Sequence, residues 1–153
     1  MRKKLLALIF FILNLSLIFA QTKDEIYQLI NEISVKNSVD IIKTSEAKKI
    51  IAYNEKSLPI LANLFTDNTL TKVKSDCLKR NLTKGELAII IADKIEGMPY
   101  FQLTSVQNCT LEFCKNNPNL IEYYFPFIQK DNKKSFTKKY IDWLKVTERK
   151  SKK

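Results

Sequence analysis

Three cysteines, two carboxylates seven positions apart and no histidine are what this 153-residue chain offers for chemistry. Cys109 and Cys114 lie close together in QNCTLEFCKNN, residues 107–117. A structural zinc site wants four Cys or His ligands, which three cysteines without histidine cannot supply. Four residues separate the pair, so it is not the two-residue spacing of a thioredoxin-like redox motif. With residues 105–116 read as a helix, the two Cα atoms stand about 8.6 Å apart, beyond the ~7 Å that a disulfide spans. Neither can then pair with the other, and the remaining partner is Cys77. Cys109 shares a stripe with Val106 and Phe113, so Cys77–Cys109 is the favoured pairing and Cys77–Cys114 the other choice. Three reduced cysteines buried as small hydrophobes are the competing reading.

Glu86 and Asp93 fall on one face of the helix expected over LTKGELAIIIADKIEGMP, with Glu96 nearby. Paired carboxylates can serve as general acid and base. Each has a simpler explanation here: Glu86 completes a capping box with Thr83, and Asp93 faces solvent. The absence of histidine removes the commonest general base and the Ser-His and Cys-His nucleophile systems. No phosphate loop, glycine-rich nucleotide turn or GxSxG elbow is present. A non-catalytic protein without a cofactor or metal is expected. The aromatics Tyr123, Tyr124, Phe125, Phe127 and Trp143 are able to line a groove, but at helical spacing they read as core.

Two glycines and four prolines, with much Lys, Leu, Ile and Glu, imply long helices joined by short loops. Thr22 and Glu25 form a capping box ahead of Ile26, Leu29, Ile30 and Ile33. Ser45 starts a helix bearing Ala47, Ile50 and Ile51, with Asn54 near its end. Leu58, Leu61, Leu64 and Phe65 form the next stripe, after Ser57 and before the unassigned 67–79. The helix from Thr83 to Gly97 is stopped by Gly97 at C′ and by Pro99. Its polar strip is so narrow that it must be central. Thr104 with Gln107 opens a further helix closed by Asn116 and Asn117. Asn117 with Pro118 begins another, which Pro126 ends or kinks. Ser135 begins the last, with Phe136, Tyr140, Trp143 and Leu144 on one face. The expected fold is all-α: an antiparallel array or irregular bundle of about six to seven helices.

LPILANLFTDNTLTKVKSDCLKR, residues 58–80, resembles one unit of a HEAT-type helical hairpin. Leu58 and Pro59 stand in its first helix, Asp67 at that helix's end, and Val73–Lys74 lead a second helix with Cys77 facing inward. FPFIQKDNKKSFTKK does not repeat it, because Pro126, Asp131 and Phe136 are spaced differently. The resemblance implies a stack of antiparallel helices of the kind that serves as a binding surface.

Arg2, Lys3 and Lys4, the apolar run LLALIFFILNLSLIFA and small Ala20 follow the order of a secretory signal, with cleavage at Ala20–Gln21. Ile18 departs from the small residue preferred before such a site. The run is shorter than the roughly 20 apolar residues of a membrane-spanning helix. Residues 1–20 are therefore read as a signal peptide, 21–148 as one helical domain and 149–153 as a basic tail.

Net charge is +10, yet between the signal and residue 130 the chain carries 13 basic and 13 acidic residues. The excess sits after residue 129, in ten Lys and Arg against Asp131, Asp142 and Glu148. A neutral body in an exported protein argues against nucleic acid, and a basic tail makes at most weak contact with anionic surfaces. The expectation is an exported, periplasmic or secreted, non-catalytic protein that binds a protein partner, in the manner of an inhibitor or immunity protein. The alternatives are a small cell-envelope hydrolase working through Glu86, Asp93 or Glu96, and an envelope protein contacting anionic surfaces.

Overall fold

Helix α4 (Lys84–Ile95) is the axis of the computed structural model, which describes residues 23–107, 113–114, 121–130 and 132–151. Its residues Gly85 through Ala92 are all buried. The order of elements is α1 (23–32), a 3₁₀ turn Ser38–Lys43, α2 (Ser45–Ala52) and a 3₁₀ turn Asn54–Ser57. Then come α3 (Leu58–Leu64), β1 (Leu70–Ser75), β2 (Arg80–Thr83) and α4. The chain continues through α5 (Tyr100–Thr104), α6 (Ile121–Lys130) and α7 (Lys133–Ser151). Among the described residues no helix is long and apolar enough to cross a membrane. The segment 1–20, the cleavage position Ala20–Gln21, the cap residue Thr22, the closing residues Asn116–Asn117, Pro118 and Cys109 lie outside the described residues.

One apolar core joins the helices. Ile26, Leu29, Ile30 and Ile33 of the α1 region, Ile50 of α2, and Leu58, Leu61 and Phe65 around α3 all turn inward. They meet Leu87 to Ala92 of α4, and Phe136, Tyr140 and Leu144 of α7 follow at helical spacing. Phe65 packs against Phe136 and Tyr140 with ring centres 5.9 and 5.2 Å apart and planes tilted by 42°, within the centroid range of favourable aromatic pairs. Helix α4 comes so close to the end of α3 that a Cβ on Gly85 would sit 2.4 Å from the Phe65 carbonyl oxygen. Only glycine fits there.

The fold is broadly helical but not all-α, because β1 and β2 form an antiparallel hairpin. Its register pairs Leu70 with Thr83, Lys74 with Asn81 and Ser75 with Arg80, with an irregularity between Leu70 and Lys74. Thr71 fills the irregularity: its hydroxyl donates to the Leu82 carbonyl at 2.8 Å and accepts the Val73 N–H at 3.2 Å. The second helix expected from Val73–Lys74 is thus a strand. The reason is period two. Val73 and Ser75 are buried while Lys72 and Lys74 are exposed, and Thr and Val suit a half-buried pleat.

Several boundaries shift. Helix α2 does start at Ser45, and Thr44 before it is the cap, accepting the Ala47 N–H at 3.1 Å. Asn132, not Ser135, precedes α7; its side chain accepts the Lys134 N–H at 3.0 Å and its φ is 72°. Helix α6 runs on through Pro126 instead of ending there. Gly97 has no positive φ and so does not make a left-handed C′ turn. Asp93 closes the end of α4 by accepting the Met98 N–H at 2.9 Å. Thr104 ends α5 instead of opening a helix: its hydroxyl donates to the Tyr100 carbonyl at 2.7 Å, and Ser105 turns the chain at φ 59°.

Candidate functional site

Glu86 stands at the centre of a charged network where β2 meets α4. The capping box is formed: Thr83 Oγ1 accepts the Glu86 N–H at 3.2 Å, and Glu86 Oε2 accepts the Thr83 N–H at 2.8 Å. Arg80, three residues before the cap, returns its guanidinium along β2 to the same carboxylate. Its Nη1 lies 2.8 Å from Oε2 and its Nη2 2.6 Å from Oε1. Gln129 of α6 adds its Nε2 at 3.0 Å from Oε1. Four donors thus occupy a carboxylate that is 1% exposed.

Burial alone would push the Glu86 pKa up, but the Arg80 and Thr83 hydrogen bonds outweigh it and hold the group below the ordinary glutamate value. A carboxylate in that state is ionised, coordinated on both oxygens and has no proton to give. Arg80 also feels buried Glu122, raised from α6 towards the hairpin. Glu122 accepts the Ser75 hydroxyl, and Ser75 in turn accepts the Leu78 N–H at 3.0 Å. The hairpin, α4 and α6 are therefore tied through charge.

Asp93, placed two turns along the same helix, has a different environment. It is not the solvent-facing group that spacing suggests but is half-buried at the α4–α5 turn. Burial pushes its pKa up, against the lowering effects of the Met98 N–H, the Tyr100 hydroxyl and Lys94. The Tyr100 hydroxyl faces this carboxylate without regular hydrogen-bond geometry, and the buried Tyr140 hydroxyl has no hydrogen-bond partner among the described residues. Burial raises both phenols, with Asp93 adding to each and Glu96 to Tyr140. Glu86 and Asp93 share α4 but not a site: one is locked to Arg80, the other sits among tyrosines.

The aromatic residues form stacked groups. Tyr124 lies flat on Tyr100 with centres 4.2 Å apart, Tyr123 meets Phe113, Tyr124 and Phe127, and Trp143 stacks on Tyr140 at 5.7 Å. Phe125 is in the core.

Cys77, in the hairpin turn, is bonded to Cys114, with Cα atoms 5.6 Å apart. The pairing favoured from spacing, Cys77–Cys109, took its direction from a helix through residues 105–116. Helix α5 stops at Thr104, and Val106, Phe113 and Cys114 are not helical, while Cys109 itself lies outside the described residues. Among the described residues no group of three or more His, Cys, Asp or Glu is placed to hold a metal ion.

A recess of about 440 Å³ opens between the end of α3 and the α6–α7 junction, lined by Thr66, Asn68, Gln129, Asn132, Lys133 and Lys134. Lys133 is half-buried there and donates to Asn68 Oδ1 at 2.6 Å. Burial lowers its pKa, partly offset by Glu86. Arg80, Gln129 and Lys133 were not singled out in the sequence. Their approach to Glu86 depends on the hairpin and on α6 crossing it, and no short-range spacing encodes that crossing.

No protein-family profile, curated protein or solved structure matches this chain.

Proposed function

We propose that the chain is an exported, non-catalytic helical protein that binds another macromolecule through its surface. A periplasmic inhibitor or immunity-type protein acting on a protein partner is one concrete form. The observation that carries this reading is the state of Glu86. The best-placed carboxylate of the sequence has both oxygens committed to Arg80, Thr83 and Gln129, and neither is free to take a proton from water or substrate. The Cys77–Cys114 bond supports an oxidising compartment. The basic segment supports weak contact with anionic surfaces as an accessory property: α7 exposes Lys134, Lys138, Lys139 and Lys145.

A hydrolase remains the second reading because of one residue. Asp93 has its pKa raised by burial and lies beside two buried tyrosine hydroxyls, which is how a general acid is prepared.

One experiment separates the two. The purified protein is used to capture partners from envelope and toxin preparations while being screened for turnover of envelope substrates. Saturable capture of one protein, with no turnover, is the expected result. Turnover abolished by Asp93→Asn in a folded protein would replace the binding reading with the hydrolase. Export is tested separately by mass spectrometry: the protein isolated from the envelope should begin at or near Gln21, and intact Met1 in the cytoplasm would refute it.

A further inference from the structure

Among the described residues, the recess beside α7 is lined mainly by hydrogen-bond donors. Lys133 Nζ uses Asn68 Oδ1 as its acceptor, so the free end of that amide is its NH2 group. Asn132 Oδ1 accepts the Lys134 N–H, which again leaves an NH2 group. Both amide orientations follow from their neighbours, since an ammonium and a main-chain N–H can only donate. Gln129 spends its Nε2 on Glu86 and keeps a carbonyl oxygen. The Thr66 hydroxyl and the ammonium of Lys134 complete the lining. Of the six lining residues, Gln129 alone presents a side-chain end that can only accept.

Charge points the same way. Arg80 is matched by Glu86, and Asp67 is held below its ordinary pKa by the Thr69 N–H and by Lys84 ahead of Lys133, against the opposing effect of burial. Lys133 shares the fields of Asp67 and Glu86, while exposed Lys134 makes no salt bridge among the described residues. Burial lowers the pKa of half-buried Lys133, with Arg80 adding to the effect and Glu86 and Asp67 offsetting part of it.

We propose that this recess binds an oxyanion group, a carboxylate or a phosphate, gripped by Lys133 and Lys134 and oriented by Thr66 and the amides of Asn68 and Asn132. Charge-assisted hydrogen bonds supply the affinity and the amides supply the geometry. The volume falls within the roughly 300–1,000 Å³ of small-ligand sites and exceeds that of a bare anion, so the oxyanion is the charged end of a larger body. It comes either from a small molecule or from an acidic side chain of a partner. The site does not depend on the protein-binding reading.

NMR titration of the purified protein tests it, following the side-chain amides of Asn68 and Asn132. Inorganic phosphate and N-acetylglutamate amide are added separately, with sodium chloride at matched ionic strength as control. Saturable shifts with phosphate, with the glutamate, or with both are expected, and the tighter of the two identifies the source. Lys133→Gln should weaken saturation about tenfold, the loss of one charge-assisted contact. Shifts that do not saturate, that chloride reproduces, or that survive Lys133→Gln undiminished would overturn the site. If Lys133→Gln loses its native amide spectrum, exposed Lys134→Gln is judged by the same criterion.

Discussion

Arg80 and Glu86 face each other across the β2–α4 junction in a two-pronged contact of 2.6 and 2.8 Å, with Arg80 36% exposed and Glu86 2% exposed at the side chain. The pair sits on top of a capping box, so one carboxylate starts a helix and anchors a hairpin. That double use is why α4 begins where it does and why the hairpin lies against it. It also turns a residue with catalytic credentials into a structural one.

Arg80→Ala should destabilise the fold by about 3 kcal/mol, the low end of the range for breaking a buried pair, because Arg80 itself is partly exposed. Urea denaturation at pH 7 measures it. The folded pKa of Glu86 lies below its unfolded value, which is about 4.3. Its contribution is therefore complete above that pH and is lost as pH falls through the folded pKa. Wild type should lose stability faster than Arg80→Ala over that acid range; parallel curves would show that the pair contributes nothing.

Asp93 has the opposite linkage. Its folded pKa is raised above an unfolded value of about 3.9, so ionising it on folding costs stability as pH rises through the folded pKa. Asp93→Asn keeps an oxygen for the Met98 N–H and removes the buried charge. Its melting temperature should exceed wild type at pH 7, and the gain should vanish below about pH 3.9. A lower melting temperature at pH 7 would mean that the charge is favourable where it lies.

The two glycines should respond in opposite ways to alanine. Gly85→Ala drives a Cβ to 2.4 Å from the Phe65 carbonyl oxygen, backbone that cannot swing aside, and should cost about 1–3 kcal/mol or more. Gly97 has no heavy atom within 4 Å of an added Cβ and no positive φ, so Gly97→Ala should be neutral or stabilising by up to about 1 kcal/mol. Thermal melts of the two variants side by side decide the matter.

Non-reducing peptide mapping should find Cys77 linked to Cys114, which closes a loop of 37 residues. Loop-closure entropy for that length corresponds to about 4 kcal/mol, and Cys114→Ser should lower the melting temperature accordingly. Recovery of a Cys77–Cys109 peptide instead would contradict the pairing.

Much of the helical framework was legible locally, because caps and periodicity are short-range. Thr83 with Glu86, the apolar density of LAIIIA and the Phe136–Tyr140–Leu144 stripe each act within a few residues, and together they put α4 at the centre. The hairpin was legible in principle from the alternation of Val73 and Ser75 with Lys72 and Lys74, but its turn uses Lys79 at φ 57° instead of glycine, so the usual punctuation was missing. What tertiary structure alone decided was partnership. Whether Glu86 is an acid, a cap or half of an ion pair depends on Arg80 and Gln129, which reach it only after β2 and α6 have packed. Whether Asp93 meets water or tyrosines depends on where α5 and α7 fall, and whether Cys77 finds Cys109 or Cys114 depends on where the chain stops being helical after Thr104. Spacing limits which residues can share a face, but pKa, hydrogen bonding and disulfide pairing depend on neighbours that the sequence brings from far along the chain.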